Sequence, residues 1–257
     1  GRGSLADRVQ APRRHISEEV LSAGVATKLV LLVPFREDVS EQRGAQLKAF
    51  LQHFETVFLP ALSTDVSAKV VVIEQGDQEK FNRGKLLNIG VLWCCAHFSC
   101  SDNVLLCLHD VDTVPAATLV PFYCHYRPGE CVHLGWVNRK YDYPTFFGGV
   151  CSVALTDFLI AGGFPNHFWG WGREDDVLHS RLRCLARCEV LIPDKADGLT
   201  CIGDAGPVRS QSDNQICMQH ICGNDNIYDI PEFALLAKEA PADGVLRLQV
   251  DLREMKK

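Results

Sequence analysis

Val104-Leu105-Leu106-Cys107-Leu108 runs directly into His109-Asp110-Val111-Asp112. Five apolar residues without alternation, at strand length, fit a strand buried on both faces, as in a parallel sheet covered by helices. Such a strand delivers its next residues to the carboxyl edge of the sheet, where open α/β folds bind ligands. Two carboxylates one residue apart at that edge suit a hard divalent cation, which commonly bridges protein carboxylates to substrate phosphates. Many solvated loops also carry Asp-x-Asp; the preceding buried strand is what singles this one out.

Upstream, the same pattern occurs twice. Lys28-Leu29-Val30-Leu31-Leu32-Val33-Pro34 reads as a buried strand stopped by proline. Leu47, Phe50, Leu51, Phe54 and Phe58 then recur at helical spacing, predicting a helix over about residues 41–62. Val70-Val71-Val72-Ile73 is a second strand, with Leu86, Leu87, Gly90, Val91 and Cys94 marking the helix behind it. Strands alternating with helices predict an α/β fold with a mostly parallel central sheet. All three strands end in polar residues: Arg36, then Glu74 and Gln75, then Asp110 and Asp112. Leu246, Leu248, Val250 and Leu252 alternate with polar residues and predict a last, half-exposed strand. Residues 1–27 mix charges, Pro12 and Gly24, and read as a stem or loosely attached lead-in.

Farther along, residues 139–173 hold Tyr141, Tyr143, Phe146, Phe147, Phe164, Phe168, Trp169 and Trp171 among glycines. Rings beside glycines suit a sugar cleft, and they equally suit a core with tight turns; next to a carboxylate cluster the cleft is favoured. That cluster is Glu174-Asp175-Asp176, opening a helix continued by Val177, Leu178, Arg181, Leu182 and Leu185. Acidic residues are favoured in a first helical turn by the macrodipole alone. The cap reading leaves the preceding Trp169-Gly170-Trp171-Gly172-Arg173 unexplained, whereas a carboxylate ionised near neutral pH there could take a proton from an attacking hydroxyl. Cys217-Met218-Gln219-His220 is a second candidate metal-ligand segment. Phe81-Asn82-Arg83-Gly84-Lys85 is a polar turn before a helix, suited to capping it or to contacting a base or phosphate.

The net charge of −6 over 257 residues excludes a general nucleic-acid binder, which needs a basic face to displace counterions. No apolar run approaches the roughly 20 residues of a membrane span. The chain starts at Gly1, and we expect a catalytic fragment attached to a membrane only through an anchor outside it. Twelve cysteines without zinc-site spacing are compatible with core thiols or with an oxidising compartment. We expect at least one disulfide, with connectivity open. Cys94-Cys95 and Cys184 through Cys188 are read as lying within helices.

Val33-Pro34-Phe35-Arg36, Phe81 through Gly90, His109 through Asp112, Phe147-Gly148-Gly149-Val150 and Trp169 through Asp176 stand in one order. That ordered set resembles the β-1,4-galactosyltransferase family over about residues 29–222, and Arg173 makes it most similar to the xylosylprotein branch. The resemblance implies the GT-A nucleotide-sugar transferase fold: a single Rossmann-like domain over 28–257, with a nucleotide-binding half at 28–112 and an acceptor-binding half at 113–257. It implies an inverting transfer of a sugar, galactose in most of the family, from a UDP-sugar to a saccharide hydroxyl with Mn2+, in the Golgi or secretory-pathway lumen. The acceptor would be a xyloside or an N-acetylglucosamine-type glycan. Carried over by position, Pro34, Phe35, Arg36, Phe81, Arg83, Asp110, Val111, Asp112, Phe146 and Trp171 would hold the donor. Arg173, Glu174, Asp175 and Asp176 would line the acceptor site, with Asp175 the catalytic base and Trp171 on a closing loop. Asp112, His220 and Met218 would ligate the metal.

Three positions depart from the family pattern. Asp38 stands where a second arginine is common, Phe146 where a tyrosine hydroxyl touches the donor sugar, and Met218 where the xylosylprotein branch has histidine. Methionine is a soft ligand for manganese. These departures support a second reading, a carbohydrate-binding pseudoenzyme on the same fold.

Overall fold

The computed structural model describes residues 4–21, 27–38, 42–99, 102–137, 143, 145–195, 198–203, 211–231 and 233–253. Its strands are β1 (Arg14–Ile16), β2 (Thr27–Phe35), β3 (Val66–Gln75), β4 (Val104–His109), β5 (Thr113–Pro115), β6 (Glu130–His133), β7 (Val150–Ala154), β8 (Glu189–Pro193), β9 (Leu199–Cys201), β10 (Ala234–Ala242) and β11 (Val245–Asp251). Its α-helices are α1 (Leu5–Val9), α2 (Arg43–His53), α3 (Leu59–Ala61), α4 (Arg83–His97), α5 (Val120–Tyr123), α6 (Leu155–Ala161), α7 (Glu174–Arg181) and α8 (Met218–Ile221). Nine strands form one sheet in the order β1-β8-β6-β7-β4-β2-β3-β11-β10, and β5 pairs with β9 apart from it.

Successive residues of a strand face opposite sides of a sheet, and here both sides are covered. Val30 and Leu32 of β2, Val71 and Ile73 of β3, and Leu106 and Leu108 of β4 join one apolar cluster with Leu86, Leu87 and Val91 of α4. Leu29, Leu31 and Val33, Val70 and Val72, and Leu105 and Cys107 join the other, with Leu47 and Phe50 of α2 and with Phe54 and Phe58. Two buried faces explain why these strands read as unbroken apolar runs. A π-turn at Phe54–Phe58 carries α2 into α3, so the helix expected over 41–62 forms with one widened turn.

The chain runs from β2 to β3 on one side, then crosses to β4 on the other. That reversal opens a crevice at the carboxyl ends of β2 and β4, the usual ligand position in open α/β sheets. Both pairs are parallel, whereas β4 to β7, β7 to β6 and β11 to β10 are antiparallel. The α/β fold with a mostly parallel sheet is therefore as expected.

Several local expectations are corrected. Pro34 lies inside β2, not after it. It falls two residues beyond the last β4 pairing, Leu32 with Leu108, so its missing N–H removes no bond on that side. The lead-in is not loose: β1 pairs in parallel with β8, and Ile16 is buried. The last strand forms as β11, but none of its residues is exposed, because it lies between β3 and β10; β10 has no counterpart in that reading because its residues are mostly exposed and carry no clear alternation. Cys94 and Cys95 lie in α4, but Cys188 follows the end of the helix, where Arg187 turns left-handed. Among the described residues no disulfide forms. Cys94, Cys107, Cys131, Cys151 and Cys188 are instead buried thiols, and burial pushes the Cys131 thiol up to about 12.

Candidate active site

The turn between β3 and α4 is held from within. Gln75 donates its amide to the Lys80 carbonyl (3.1 Å) and to Asp77 (2.8 Å), and accepts from Asn82 N–H (2.9 Å). Asn82 caps α4 by accepting from Lys85 N–H. Arg36, at the end of β2, donates to the Glu79 carbonyl (2.6 Å), and its guanidinium lies 5.6 Å from the Phe81 ring. Glu74, expected at the same edge, pairs with Arg247 of β11 (2.7 Å) instead. Lys85 is buried and donates to the Leu252 carbonyl, so it belongs to the core and not to the crevice.

Arg83, first residue of α4, is the hub. Its Nε donates to Asp110 (2.8 Å) and its Nη1 to Asp175 (2.7 Å), with Glu174 at 3.8 Å. One guanidinium thus joins the carboxyl end of β4 to the first turn of α7. Burial raises the carboxyl pKa of Asp110 and Glu174 and raises that of Asp175 well above the usual range. Arg83 opposes each rise, and neighbouring carboxylates add to it. Asp176 is raised by burial too, against Arg173, which donates to it at 3.3 Å.

His109 fixes the Asp110 end. A carbonyl can only accept, so its Nδ1–H donates to the Asp110 carbonyl (2.8 Å), leaving Nε2 to accept from Tyr123 (3.1 Å). Burial pulls its pKa down to about 4, so the ring stays neutral in this role.

The Trp-Gly segment is tied to both neighbours. Gly170 N–H donates to the Phe81 carbonyl (2.8 Å), and Trp171 N–H donates to Asp213 (2.8 Å). Gly170 and Gly172 have φ of +82° and +97°, and a Cβ at either would run into Asp213 or Ser212 respectively. A side chain at either would be strained and would clash, which explains the two glycines. Arg173 continues the left-handed bend at φ +78°; its carbonyl accepts from Val177 N–H (3.1 Å), and its side chain caps no backbone N–H of α7.

The expected donor set is only partly gathered as side chains. Arg36, Phe81, Arg83 and Asp110 are joined by the contacts above. Phe35 and Val111 are buried in the core, so only their backbone could face a ligand. Of the aromatic stretch, Phe147 and Phe164 are core, and Trp169 packs against that core. Tyr141 lies outside the described residues. Tyr143 and Phe146 meet edge to face at 5.7 Å.

The three expected metal ligands each have their own surroundings. Asp112 accepts from Arg43 (3.2 Å) and Thr113 (3.3 Å), and its carbonyl from Ile202 N–H (2.6 Å). His220 contacts Cys217, the Phe168 ring and, through its carbonyl, Arg181. Met218 is exposed. Among the described residues no three His, Cys, Asp or Glu side chains converge as a cation site. Asp112, a partly exposed carboxylate, is the one member with the hard oxygen donors that manganese favours. Arg181 of α7 docks α8 by donating to the His220 carbonyl (2.8 Å).

Sequence reasoning missed the roles of three side chains at this site. The Tyr143 hydroxyl and Thr145 both hydrogen-bond Asp176. Tyr143 was visible only as one more ring. Arg43, on Asp112, had no signal beyond being a charged residue at a helix start.

Two family models match the chain: "N-terminal region of glycosyl transferase group 7" over residues 22–125 and "N-terminal domain of galactosyltransferase" over 132–201. Together they span more than half of it. The chain belongs to the β-1,4-galactosyltransferase family. Human β-1,4-galactosyltransferase 4 is 34% identical over 175 residues, 65% of this chain and 45% of that protein. Human β-1,4-galactosyltransferase 3 is 36% identical over 167 residues, 61% and 38% respectively. The chain thus spans less than half the length of these curated relatives. The solved catalytic domain of Drosophila β1,4-galactosyltransferase 7 in complex with xylobiose superposes with a TM-score of 0.68 at 26% identity, covering 88% of this chain and 94% of that one. A mutant of the same Drosophila enzyme, in complex with manganese, UDP-Gal and xylobiose, matches with the same TM-score at 25% identity, again covering 88% of this chain and 94% of that one. The fold is that of GT-A glycosyltransferases.

Proposed function

We propose that this chain is an inverting transferase that moves galactose from UDP-galactose to a saccharide hydroxyl, with Asp175 as the base. The observation that carries the reading is Arg83, which holds Asp110 at the end of β4 and Asp175 at the start of α7 with one guanidinium. A donor in the β2–β4 crevice would lie against Arg36, Phe81, Arg83 and Asp110, with the carbonyl groups of Pro34 and Phe35 and the backbone of Val111 in reach. Asp175 faces that crevice from α7, where it can accept the proton of an attacking hydroxyl. Burial keeps its carboxyl pKa high, so a proton taken there is held well during transfer. Glu174, Asp176 and Arg173 would orient the acceptor, and Trp171 would close over both substrates and exclude water. A manganese ion, held by Asp112, would supply Lewis-acid stabilisation of charge on the departing diphosphate. A xyloside is the acceptor of choice, since xylobiose is bound by the Drosophila relative. Action in the Golgi or secretory lumen is part of the same proposal. No helix among the described residues is long and apolar enough to cross a membrane.

The second reading, a carbohydrate-binding protein without transfer, is favoured by Phe146, which lacks a hydroxyl for a donor sugar, and by Met218, a soft ligand for manganese. One experiment separates the two. The protein is incubated with manganese and a panel of UDP-sugars, with xylosides and N-acetylglucosaminides as acceptors, and disaccharide and released UDP are followed. Product from UDP-galactose and a xyloside is the expected result. Sugar binding without product from any pair would establish the binding protein instead.

A further inference from the structure

The N-terminal segment reaches the wall of the active-site crevice. Its backbone is anchored at three points. Arg183 donates to the Ala11 and Pro12 carbonyls (3.0 and 3.2 Å), Arg14 pairs with Glu130 and Glu189 (3.1 and 3.0 Å), and Ile16 is buried beside β8. Arg13, between the anchors, lies 4.2 Å from the Trp136 ring and extends inward. Its Nη1 donates to His133 Nδ1 (2.6 Å), and its Nη2 donates to the Phe146 carbonyl.

The guanidinium has only donors, so His133 must accept at Nδ1 and carry its proton on Nε2. Nε2–H in turn donates to the Gly148 carbonyl (2.9 Å). His133 is fully buried, and burial together with the nearby Arg13 charge keeps its pKa far below the ordinary value, so this neutral tautomer persists. Two handles on one short loop, the carbonyls of Phe146 and Gly148, are therefore held by one relay starting at Arg13. Gly148 is the residue against which Asp175 rests: a methyl group there would sit 3.1 Å from Asp175 Oδ2.

We propose that Arg13 and His133 are positioning residues, which set the Phe146–Gly149 loop against Asp175 and so tie the N-terminal segment to transfer. The effect on transfer rests on the function proposed above; the effect on the loop does not. Neither residue touches substrate in this scheme. Guanidinium geometry is required because two acceptors must be met at once, which a lysine ammonium on a flexible stem does poorly.

The test compares the full chain with Arg13→Ala, Arg13→Lys and His133→Ala, each checked for folding by circular dichroism. Amide hydrogen exchange across residues 146–150 and UDP binding are measured with the transfer kinetics. Exchange at 146–150 should rise about tenfold in Arg13→Ala and His133→Ala, and less in Arg13→Lys, from the loss of one or two buried hydrogen bonds. UDP binding should stay within about threefold, while kcat falls about tenfold as the loop shifts beside the base. Unchanged exchange in a folded Arg13→Ala protein overturns the proposal, whatever the activity. Raised exchange with unchanged kcat overturns its link to transfer. If the parent chain transfers no sugar, the function fails and the exchange result still decides the positioning role.

Discussion

The two halves of this molecule are built by different rules. From β2 to β4, strands of six to ten residues pair in parallel, and their side chains divide evenly between two buried faces. From β5 to β9, strands have three to five residues, joined by short helical turns, and antiparallel pairs interrupt the sheet. The first half presents a rigid edge; the second brings side chains to it. Asp175 belongs to the second half yet depends on Arg83 from the first. The proposed base, on a short, glycine-led helix, is thus positioned by the regular half across the crevice.

The strongest way to test that division is Asp175→Asn. Transfer should fall by about 10²–10⁴-fold, the usual worth of a general base, while UDP binding is retained because the first half is untouched. Loss of UDP binding would show that the halves do not act separately. As the proposed base, the same residue would set the pH behaviour. Asp175 must be ionised to act, and its pKa is raised by burial, so the acidic limb of kcat/KM should lie above the ordinary carboxylate value of about 3.9. Stability has the opposite sign. A carboxyl whose folded pKa exceeds its unfolded one contributes stability below the unfolded pKa and loses it as pH rises through the folded value. Asp175→Asn should therefore leave the thermal midpoint at neutral pH unchanged or higher, and a large drop would contradict the cost assigned to burying this carboxylate.

Leu106→Ala probes the regular half. Leu106 is fully buried at the centre of β4, and its loss should destabilise the protein by about 2–5 kcal/mol, measured by denaturant unfolding. Gly148→Ala probes the irregular half at the point of contact. The added methyl would press on Asp175 and on the Phe146 ring, each at 3.1 Å. Transfer should fall about tenfold with little change in stability, because the displacement is small and local. An equal fall in both quantities would mean that the loop is a stability element first. Tyr143→Phe is the mildest change. It removes one hydrogen bond to Asp176 and should cost about 0.5–1.5 kcal/mol of acceptor affinity or less, read from KM.

The contrast between halves also explains what could be read in advance. β2, β3 and β4 were legible because two-sided burial writes an unbroken apolar run into each. β1 and β10 were not: Arg14-His15-Ile16 offers one buried residue in three, and β10 is an exposed edge strand. The carboxylates Asp110, Glu174, Asp175 and Asp176 were legible as candidates, because acidic residues after an apolar strand or after Trp-Gly repeats are locally unusual. Their tie through Arg83 was not, since 92 residues separate Arg83 from Asp175. His133 and Arg13, 120 residues apart, carried no local signal at all.

Local pattern determined the α/β class, the strand-end placement of the acidic motifs and the family resemblance, because each depends on residues within a few turns of chain. Tertiary structure alone decided which carboxylates share a guanidinium, that the lead-in joins the sheet, and that Phe35 and Val111 turn into the core. Those outcomes depend on which side of a sheet or helix a distant segment reaches, and on how its charges are buried there. No short stretch of sequence encodes that.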